Sequence, residues 1–373
     1  MNNRIIYIGM DVHSTNFTFC ALEPFFGVED KVFGTVQVKP NYKNVLKYIK
    51  KLQKKLGDDC DFICGYEAGC LGYSLYNQLT SHDVNCVILA PTTMMESKGK
   101  RVKTDRRDAK MIAECLAYGT YSAVYVPDPE DVSCKEYIRM RSDFKAAQKR
   151  VKQQIKSYCL REGIQYEGNS NWTSGHLAWL RKVDLPSLRR EMLDEYLAEL
   201  DHLTDKIERL DSRIEALASG ERYRENVSKL VCLLGIKTHT AMSLLVETGD
   251  FKRFKKAELF ASFLGLTPSE NSSSDKVNRG GITKAGNSHL RRLLTESAQG
   301  YSKGRPGYKS KALKARQAGN KAAIIQYADK ANDRLRRKFQ RMTAAGKPHN
   351  VAKTAIAREL ACFVWGIMTD NVA

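Results

Sequence analysis

Four acidic residues stand where they could together hold a divalent metal ion. Asp11 follows the apolar run IIYIGM and Glu67 follows DFICGY, so each is expected at the carboxyl end of a buried strand. A carboxylate in that position is poorly solvated unless a cation compensates it. Asp105 and Asp108, three residues apart in KTDRRDA, share one face of a predicted helix. If that face packs on the strand ends, the four carboxylates converge and repel one another without metal.

Carboxylate oxygens suit Mg²⁺ or Mn²⁺ better than zinc. Two such ions could activate one oxygen and stabilise the leaving oxygen of a phosphodiester. Taken singly, Asp105 or Asp108 is also explained as a solvated acid favoured by the helix dipole, but the combination with two strand-terminal acids favours a metal site. The neighbouring GKRVKTDRR adds positive charge where a DNA backbone would approach, and we assign Lys103, Arg106 and Arg107 to nucleic-acid binding.

The elements that must position these acids begin with three β-rich runs, at residues 4–12, 15–22 and 31–38. Short polar connections between them predict an antiparallel meander. Helical periodicity from Asn41 to Leu56 is followed by a strand, DFICGYEA, a helix near 71–80, a second strand, VNCVILA, and a helix beginning near Thr104. Alternating strands and helices predict parallel additions to the meander. This order is typical of a ribonuclease-H-like α/β fold, and equally of the actin and sugar-kinase fold.

Long polar helices follow Pro127 and Pro129. Residues 131–162 are rich in Lys, Arg and Gln, and a loop separates them from a helix whose apolar residues recur at steps of three and four. These are Leu193, Tyr196, Leu200, Leu203, Ile207, Leu210, Ile214 and Leu217. Such a seam indicates a coiled coil between chains, or alternatively an intramolecular hairpin against 131–162. In either case the segment predicts a spacer or assembly element.

A third, helical unit is expected over about 225–300. Its start, SKLVCLLGIKTHTAMSLLVETGDF, resembles a helix-hairpin-helix, whose backbone amides hold a phosphate, although Lys237 stands where a second glycine is usual; a simple αα-hairpin is the alternative. Residues 303–341 hold 13 Lys or Arg, two acids and interleaved aromatics (Tyr301 just before them, then Tyr308, Tyr327 and Phe339), which predicts a nucleic-acid-binding arm. The last helix, VAKTAIARELACFVWGIM, is apolar enough to return to the core.

The overall composition agrees with a nucleic-acid partner. The 61 Lys and Arg exceed the 42 Asp and Glu by 19, and the basic residues are spread over all 373 positions rather than flanking an apolar segment. The ten cysteines sit mostly in apolar surroundings, typical of reduced, buried thiols, and Cys60 and Cys64 lack a second ligand pair at zinc spacing. With no transmembrane pattern and no signal peptide, a cytoplasmic protein is expected.

Several motifs resemble a known family. GMDVHSTNF, YEAGCLGY and KTDRRDA, followed by GLTPSENSSSDKVNRGGITKAGNSHLRRLL, resemble the DEDD insertion-sequence transposases, which have a RuvC-like amino-terminal domain and a carboxy-terminal serine domain. The resemblance covers most of 4–120 and 225–300, and the predicted coiled coil fits by position. It implies an enzyme that cuts and rejoins DNA, with Asp11, Glu67, Asp105 and Asp108 as the metal-binding tetrad.

The resemblance also implies a serine nucleophile and a bridge RNA that pairs with donor and target DNA. By position the nucleophile is Ser273, although the family's following glycine is replaced by Ser274, and Ser272 precedes it; a flexible polar loop is the alternative reading of SENSSSD. A serine hydroxyl needs activation to attack phosphate, which metal from the acidic domain could supply. We assign the basic residues beyond it to nucleic-acid contact: Arg279, Lys284, His289, Arg291 and Arg292.

These observations predict a RuvC-like domain over 1–127, a helical coiled-coil linker over 128–222 and a helical serine domain over 223–373. Because serine and acids lie on separate domains, we expect a site shared between subunits, in a dimer or tetramer. Three other functions fit parts of the pattern: a metal-dependent nuclease for branched DNA without a covalent serine intermediate, a phosphotransferase of the actin and sugar-kinase fold, and a non-catalytic RNA-binding scaffold.

Overall fold

The structure is a computed structural model that describes residues 4–25, 27–57, 59–94, 104–270, 272 and 278–372. The chain divides into two compact units, Met1–Val126 and Pro127–Ala373. Within the described ranges, no helix combines the length and the apolar composition needed to cross a bilayer. The further division of the second unit near residue 222 stays a prediction.

The first unit is built on a five-stranded mixed sheet. Its strands are β1 (Arg4–Val12), β2 (Phe17–Glu23), β3 (Lys31–Val38), β4 (Cys60–Glu67) and β5 (Asn85–Leu89). The order is β3-β2-β1-β4-β5, with β1, β2 and β3 antiparallel and with β4 and β5 added parallel to β1. The predicted meander followed by parallel strands is therefore present, and the sheet is compatible with a ribonuclease-H-like fold.

Helices cover both faces of this sheet because β1 and β4 are apolar on both sides. Helices α1 (Tyr42–Leu56) and α2 (Ser74–Thr80) share a buried cluster with Ile6, Ile8 and Met10 of β1. Helix α3 (Asp105–Tyr118) packs on the other face, where its apolar residues form a second cluster with Tyr7 and Ile63. Alternation along β1 therefore turns the odd-numbered residues, including Asp11, toward the α3 side.

The second unit is mainly helical. Its helices are α4 (Pro129–Arg161), α5 (Ser174–Lys182), α6 (Ser187–Ser219), α7 (Glu221–Leu230), α8 (Thr238–Thr248), α9 (Ala257–Phe263), α10 (Ser288–Ser297), α11 (Lys311–Gln317), α12 (Ala322–Ala344) and α13 (His349–Met368). Two short antiparallel strands, β6 (Pro268–Glu270) and β7 (Arg279–Ile282), interrupt them. Helices α7 and α8 flank Gly235 and Ile236, so two helices stand where the sequence predicted a helical hairpin.

Helices α4 and α6 pack against each other within the chain. Six of the eight predicted seam residues of α6 are buried, and Arg141 of α4 forms a bidentate ion pair with Asp211 of α6, with N–O distances of 2.7 and 2.8 Å. Gln148 of α4 donates to the Thr204 hydroxyl at 2.8 Å. Of the two alternatives for this segment, the structure therefore has the intramolecular hairpin.

One apolar cluster joins most helices of the second unit. It includes Ile138 of α4, Ile214 of α6, Leu244 of α8 and Leu294 of α10, together with much of α13. Leu360 of α13 is completely buried, so the prediction that the last helix returns to the core is confirmed. Two aromatics expected in a nucleic-acid-binding arm, Tyr301 and Phe339, are also buried here. The residues around them are therefore part of the folded unit.

Candidate active site

Asp11 and Glu67 end two neighbouring parallel strands on the same face of the sheet. Met10 of β1 pairs with Tyr66 of β4, so the next residue of each strand, Asp11 and Glu67, lies at the carboxyl edge of the sheet in the same register. Both lie on the α3 side, as Gly65 does, whose α-carbon faces Leu116 of α3. Glu67 is exposed, whereas the Asp11 side chain is only 14% exposed. The two strand-terminal acids therefore lie at the same edge of the sheet.

Helix α3 brings Asp105 and Asp108 to this edge. Thr104 caps the helix by accepting from the Arg107 amide, and both acids lie in the first turn. A close approach of α3 to β1 fixes this position, because a side chain on Gly9 would meet the Ala109 carbonyl oxygen at 2.1 Å. Gly9 thus allows the helix backbone to lie directly on the strand. The first turn of α3 consequently lies beside the end of β1.

Three of the groups that meet here offer possible ligand atoms within 4.8 Å of one another. Among the described residues this group comprises Asp11, His13 and Asp105. His13 Nε2 lies 3.1 Å from Asp11 Oδ1. Asp105 Oδ2 accepts from the amides of Asn16 at 3.1 Å and Gln37 at 3.4 Å. The structure does not include Glu67 or Asp108 in this tight group.

The sequence reasoning missed His13, Asn16 and Gln37. His13 carried a usable signal, since it lies two positions beyond Asp11, directly after the end of β1, and strand alternation would turn it to the same side. Asn16 and Gln37 carried none, because their contact with Asp105 depends on how α3 crosses β2 and β3. Both amides hold an acidic side chain in place, so they are positioning residues at this site.

The electrostatics of the site centre on Asp11. Its Oδ2 atom is buried and has no hydrogen-bond partner among the described residues. Burial raises the pKa of the Asp11 carboxyl, His13 opposes this rise, and the charges of Asp105 and Asp108 add to it. A buried carboxylate oxygen without a donor costs free energy in an isolated fold. A cation beside Asp11 would relieve both the missing bond and the repulsion.

The donor set fits a divalent metal ion. Carboxylate oxygens from Asp11 and Asp105 are the ligands that Mg²⁺ and Mn²⁺ prefer, and Glu67 and Asp108 lie on the same side of the sheet. A His13 nitrogen in the same group is more usual for Mn²⁺ than for Mg²⁺. The fold and the buried Asp11 oxygen, which lacks a partner among the described residues, therefore both support binding of a divalent metal here.

Metal addition is expected to raise the melting temperature of the wild-type protein. The ion binds the assembled carboxylates and not the unfolded chain, so at one hundred times its dissociation constant it contributes about 2.7 kcal/mol. Thermal melts with and without Mn²⁺ or Mg²⁺ measure this shift. Asp11→Asn should abolish it, whereas Asp61→Asn, an exposed change at the other end of β4, should leave it intact. An equal shift in both variants would mean that the ions act elsewhere.

Two of the three basic residues assigned to nucleic-acid binding beside the acids lie in the described part of the chain. Arg106 and Arg107 are exposed on the first turn of α3, while Lys103 lies outside the described residues. Their exposure beside Asp105 suits contact with a phosphate backbone.

The predicted nucleophile also lies outside the described residues, as does Ser274. Ser272 is described and exposed; its hydroxyl donates to the Glu270 carboxylate at 3.0 Å and accepts from the Asn278 amide at 3.2 Å. The predicted loop thus falls between the paired strands β6 and β7. Whether Ser273 is the reactive residue stays a prediction.

Beyond the hairpin, the assigned basic residues differ in their surroundings. Arg291 is half-buried and donates to the carbonyl oxygens of Leu264 and Ala285, at 2.9 and 3.3 Å, so its guanidinium is engaged at the base of the hairpin. Arg292 is exposed and pairs with Glu296 at 3.3 Å, and Lys284 is exposed with a φ of 56°. The Arg279 side chain is not described. Nucleic-acid binding by this set stays a prediction, and it suits Arg292 and Lys284 better than Arg291.

His289 differs from these cations because its pKa is lowered by burial. Its Nε2 atom is buried and has no hydrogen-bond partner among the described residues. A neutral, half-buried imidazole is a poor phosphate ligand compared with an exposed cation. The expected phosphate contact of His289 therefore has no support in its surroundings.

Comparisons with known proteins agree with the site. A family model of DEDD transposases, described as Transposase, matches residues 8–162. A second model, described as Transposase IS116/IS110/IS902 family, matches residues 228–313. The first match contains all four predicted metal-binding acids, and the second contains the β6–β7 hairpin. Each predicted functional region therefore falls within a transposase model.

Whole-length relatives extend this result. The transposase for insertion sequence element IS1533 of Leptospira borgpetersenii is 31% identical over 91% of this chain and 97% of its own length. The y4qE protein of Sinorhizobium fredii is 30% identical over 98% of this chain and 89% of its own length. The transposase for insertion sequence element IS1328 of Yersinia enterocolitica is 25% identical over 73% of each chain.

The fold, the acidic group and these matches define the class of the protein, which is a DNA transposase with a DEDD-type domain. Both family models and the full-length relatives point to one group within that class. The chain belongs to the IS110 family of insertion-sequence transposases.

Proposed function

We propose that this transposase cuts and rejoins DNA strands with two sets of residues, the acidic site of the first unit and a serine of the second. The observation that carries the proposal is the buried Oδ2 of Asp11 beside Asp105, which has no hydrogen-bond partner among the described residues, because a fold retains such an unfavourable group where a ligand compensates it. Because the chain belongs to a family of transposases, we propose that the metal ion bound there serves phosphodiester chemistry.

Asp11, Glu67, Asp105 and Asp108 would hold the metal, Mg²⁺ or Mn²⁺, in a RuvC-like domain. When bound, the metal supplies positive charge that polarises a phosphodiester and stabilises its leaving oxygen. Asn16 and Gln37 keep Asp105 turned toward Asp11, and His13 keeps one oxygen of Asp11 engaged. Arg106 and Arg107 offer charge to the DNA backbone beside the acids.

Ser273 is proposed as the nucleophile by family resemblance. In that step the serine oxygen forms a bond to phosphorus, the bond from phosphorus to a deoxyribose oxygen breaks, and the leaving oxygen receives the proton that serine loses. The phosphodiester energy is kept in the covalent adduct, so a second strand end can attack it and rejoin the DNA without another energy source. Ser273 falls in the segment between β6 and β7, and the exposure of the neighbouring Ser272 and Asn278 supports access to DNA.

The partners follow from charge and resemblance. An excess of 19 positive charges suits a protein that holds donor and target DNA, and a bridge RNA is proposed from the family alone. Because acids and serine belong to separate units, we propose that sites are completed between subunits of a dimer or tetramer.

The test is strand exchange on plasmids that carry the element's own ends, with its flanking non-coding RNA supplied. Ser273→Ala should lower joined product at least about a thousand-fold and eliminate a covalent protein–DNA adduct. The adduct is measured by denaturing electrophoresis of labelled DNA. Ser272→Ala is the matched control, and its retention of the adduct would assign the reaction to Ser273.

The same assay separates the rival activities. If Ser273→Ala still cuts DNA while Asp11→Ala does not, the protein is a metal nuclease without a serine intermediate. Mixing Ser273→Ala with Asp11→Ala protein should restore part of the activity when sites are shared between subunits. Complete inactivity of the mixture would contradict shared sites.

A further inference from the structure

Helix α12 presents a continuous basic face to solvent. Its cationic side chains recur at steps of three, four and one, over about 16 Å of helix at 1.5 Å per residue. They are Lys330, Arg334, Arg337, Lys338 and Arg341, and together they line an open groove of about 640 Å³. The opposite face of the helix, with Leu335 and Phe339, is buried in the core. The basic face is therefore held rigidly by packing from behind.

This arrangement costs stability in the isolated protein. Lys330 and Arg334, Arg334 and Lys338, and Arg337 and Arg341 are like charges four residues apart, which destabilises a helix. Within the ranges that the structure describes, Glu359 of α13 is the carboxylate that pairs with the face, contacting Arg334 and Lys338. Lys330, Arg337 and Arg341 have no ion pair there. A polyanion along the helix would remove the repulsion.

A second cavity adjoins the same helix and differs in chemistry. Its volume is about 700 Å³, and it lies between α9, α12 and α13. Three aromatic side chains line it, namely Tyr327, Phe363 and Trp365. Arg334 and Lys338 line both this cavity and the basic groove. Aromatic walls next to fixed cations are the combination that binds an unpaired base together with its phosphates.

The aromatic walls are positioned before any ligand arrives. The rings of Tyr327 and Phe363 meet edge to face, with centroids 5.6 Å apart. Trp365 Nε1 donates to the Phe254 carbonyl at 3.0 Å, which fixes the indole. Arg334 is held through Glu359. A preformed site of this kind binds a base without first ordering its own side chains.

We propose that this groove binds an unpaired DNA strand, with its phosphates along the α12 face and a base in the aromatic-lined cavity. The choice of DNA rests on the proposed strand transfer, during which DNA ends become unpaired. The groove lies in the second unit and uses none of the residues assigned to the acidic site or to the serine loop.

The first test measures binding without chemistry, using full-length protein in EDTA. Fluorescence anisotropy compares a labelled single-stranded DNA of about 12 nucleotides, a duplex of the same length and an RNA of matching sequence. Replacing Lys330, Arg337 and Arg341 by Gln should weaken single-strand binding roughly ten-fold or more at low salt. It should also reduce the slope of log affinity against log salt by about 2, because each lost phosphate contact contributes about 0.7.

The matched control removes the same charge from another helix. Lys47, Lys50 and Lys54 of α1 are exposed, so their replacement by Gln leaves the groove unchanged. Equal weakening by both triple variants would overturn the proposal, since charge alone would then explain binding. A loss confined to duplex or to RNA would overturn the assignment to unpaired DNA.

A second measurement reports on the cavity itself. Bases that stack near an indole quench its fluorescence, so saturating single-stranded DNA should quench the wild-type protein and do so much less in Trp365→Phe. The other tryptophans, Trp172 and Trp179, pack with the α4–α6 hairpin and serve as the internal reference. Undiminished quenching in Trp365→Phe would exclude a base in this cavity. Because the assay contains no metal, its outcome is independent of whether the proposed strand transfer is correct.

Discussion

Asp11→Asn protein is expected to lose strand cleavage at least about a thousand-fold while melting at a slightly higher temperature than wild type. The loss follows because an amide cannot replace the negative charge that holds a cation at this edge. The gain follows because a neutral amide removes the burial cost and the repulsion that raise the Asp11 pKa, and can donate to Asp105. The gain should be small, because the contact of His13 with the ionised Asp11 opposes these two effects.

The stability difference between the two proteins has a definite pH dependence. The folded Asp11 pKa lies above its unfolded value of 3.8, so the folded state holds the proton more tightly. Ionisation therefore destabilises the fold, fully so at neutral pH, and the penalty disappears as pH falls through the folded pKa and then below 3.8. The advantage of Asp11→Asn should thus be greatest near pH 7 and vanish at acid pH.

Two measurements on the same preparations check this result. Chemical unfolding from pH 7 to pH 3 without metal gives the stability difference, and cleavage of labelled element ends gives the activity. Asp61→Asn, which removes an exposed carboxylate from the amino end of β4, should change neither. If Asp11→Asn proved less stable than wild type at pH 7, Asp11 would be a structural partner and not an unsatisfied ligand.

The sheet of the first unit was predictable because its signals are local. Alternation and β-branched residues mark β1, β2 and β3, and the short connections between them leave antiparallel pairing as the simple solution. The intervening helices then require β4 and β5 to be parallel. This strand arrangement puts the ends of β1 and β4 at the same edge, so Asp11 and Glu67 could be placed there from the sequence alone.

The rest of the site depends on long-range packing that no local pattern contains. Asn16, just before β2, and Gln37 of β3 reach Asp105 across 89 and 68 residues of sequence. Similarly, the position of α3 depends on Gly9, which in the sequence is one glycine in an apolar run. The tight group thus contains two of the four acids that the motifs predicted, Asp11 and Asp105, together with His13.

In the second unit, the apolar periodicity predicted helices, but it did not predict which polar residues of each helix make contacts inside the fold. Arg291 was assigned to nucleic-acid contact, yet its guanidinium donates to two backbone carbonyls. The α6 seam suited another chain as well as it suited α4, because a heptad pattern specifies an apolar partner and not its identity. The type of a residue, basic or apolar, is therefore weaker evidence of its partner than the contacts that the residue makes in the structure.

Gly9→Ala is the second change with a large expected effect, although it adds one methyl group two residues from Asp11. That methyl carbon would lie 2.1 Å from the Ala109 carbonyl oxygen and 2.3 Å from the Ala113 amide nitrogen. Both are backbone atoms, so no rotamer change relieves the contact and α3 must move away from the sheet. We expect a loss of about 3 kcal/mol in stability. A displacement of about 1 Å at Asp105 should lower cleavage roughly a hundred-fold.

A comparison with two other glycines of the same unit isolates the cause. Gly65→Ala would meet the Leu116 and Leu89 side chains at 2.8 Å, which can shift, so its cost should be smaller and partly rescued by Leu116→Ala. Gly69→Ala would make only an ordinary contact, 3.8 Å from the Glu67 carbonyl oxygen, and should change stability by less than about 0.5 kcal/mol. Thermal melts and the metal-dependent rise in melting temperature are read for all three variants. If Gly9→Ala kept the metal response of wild type, the acids would not depend on the approach of α3 to β1, and the site would be formed by the strands alone.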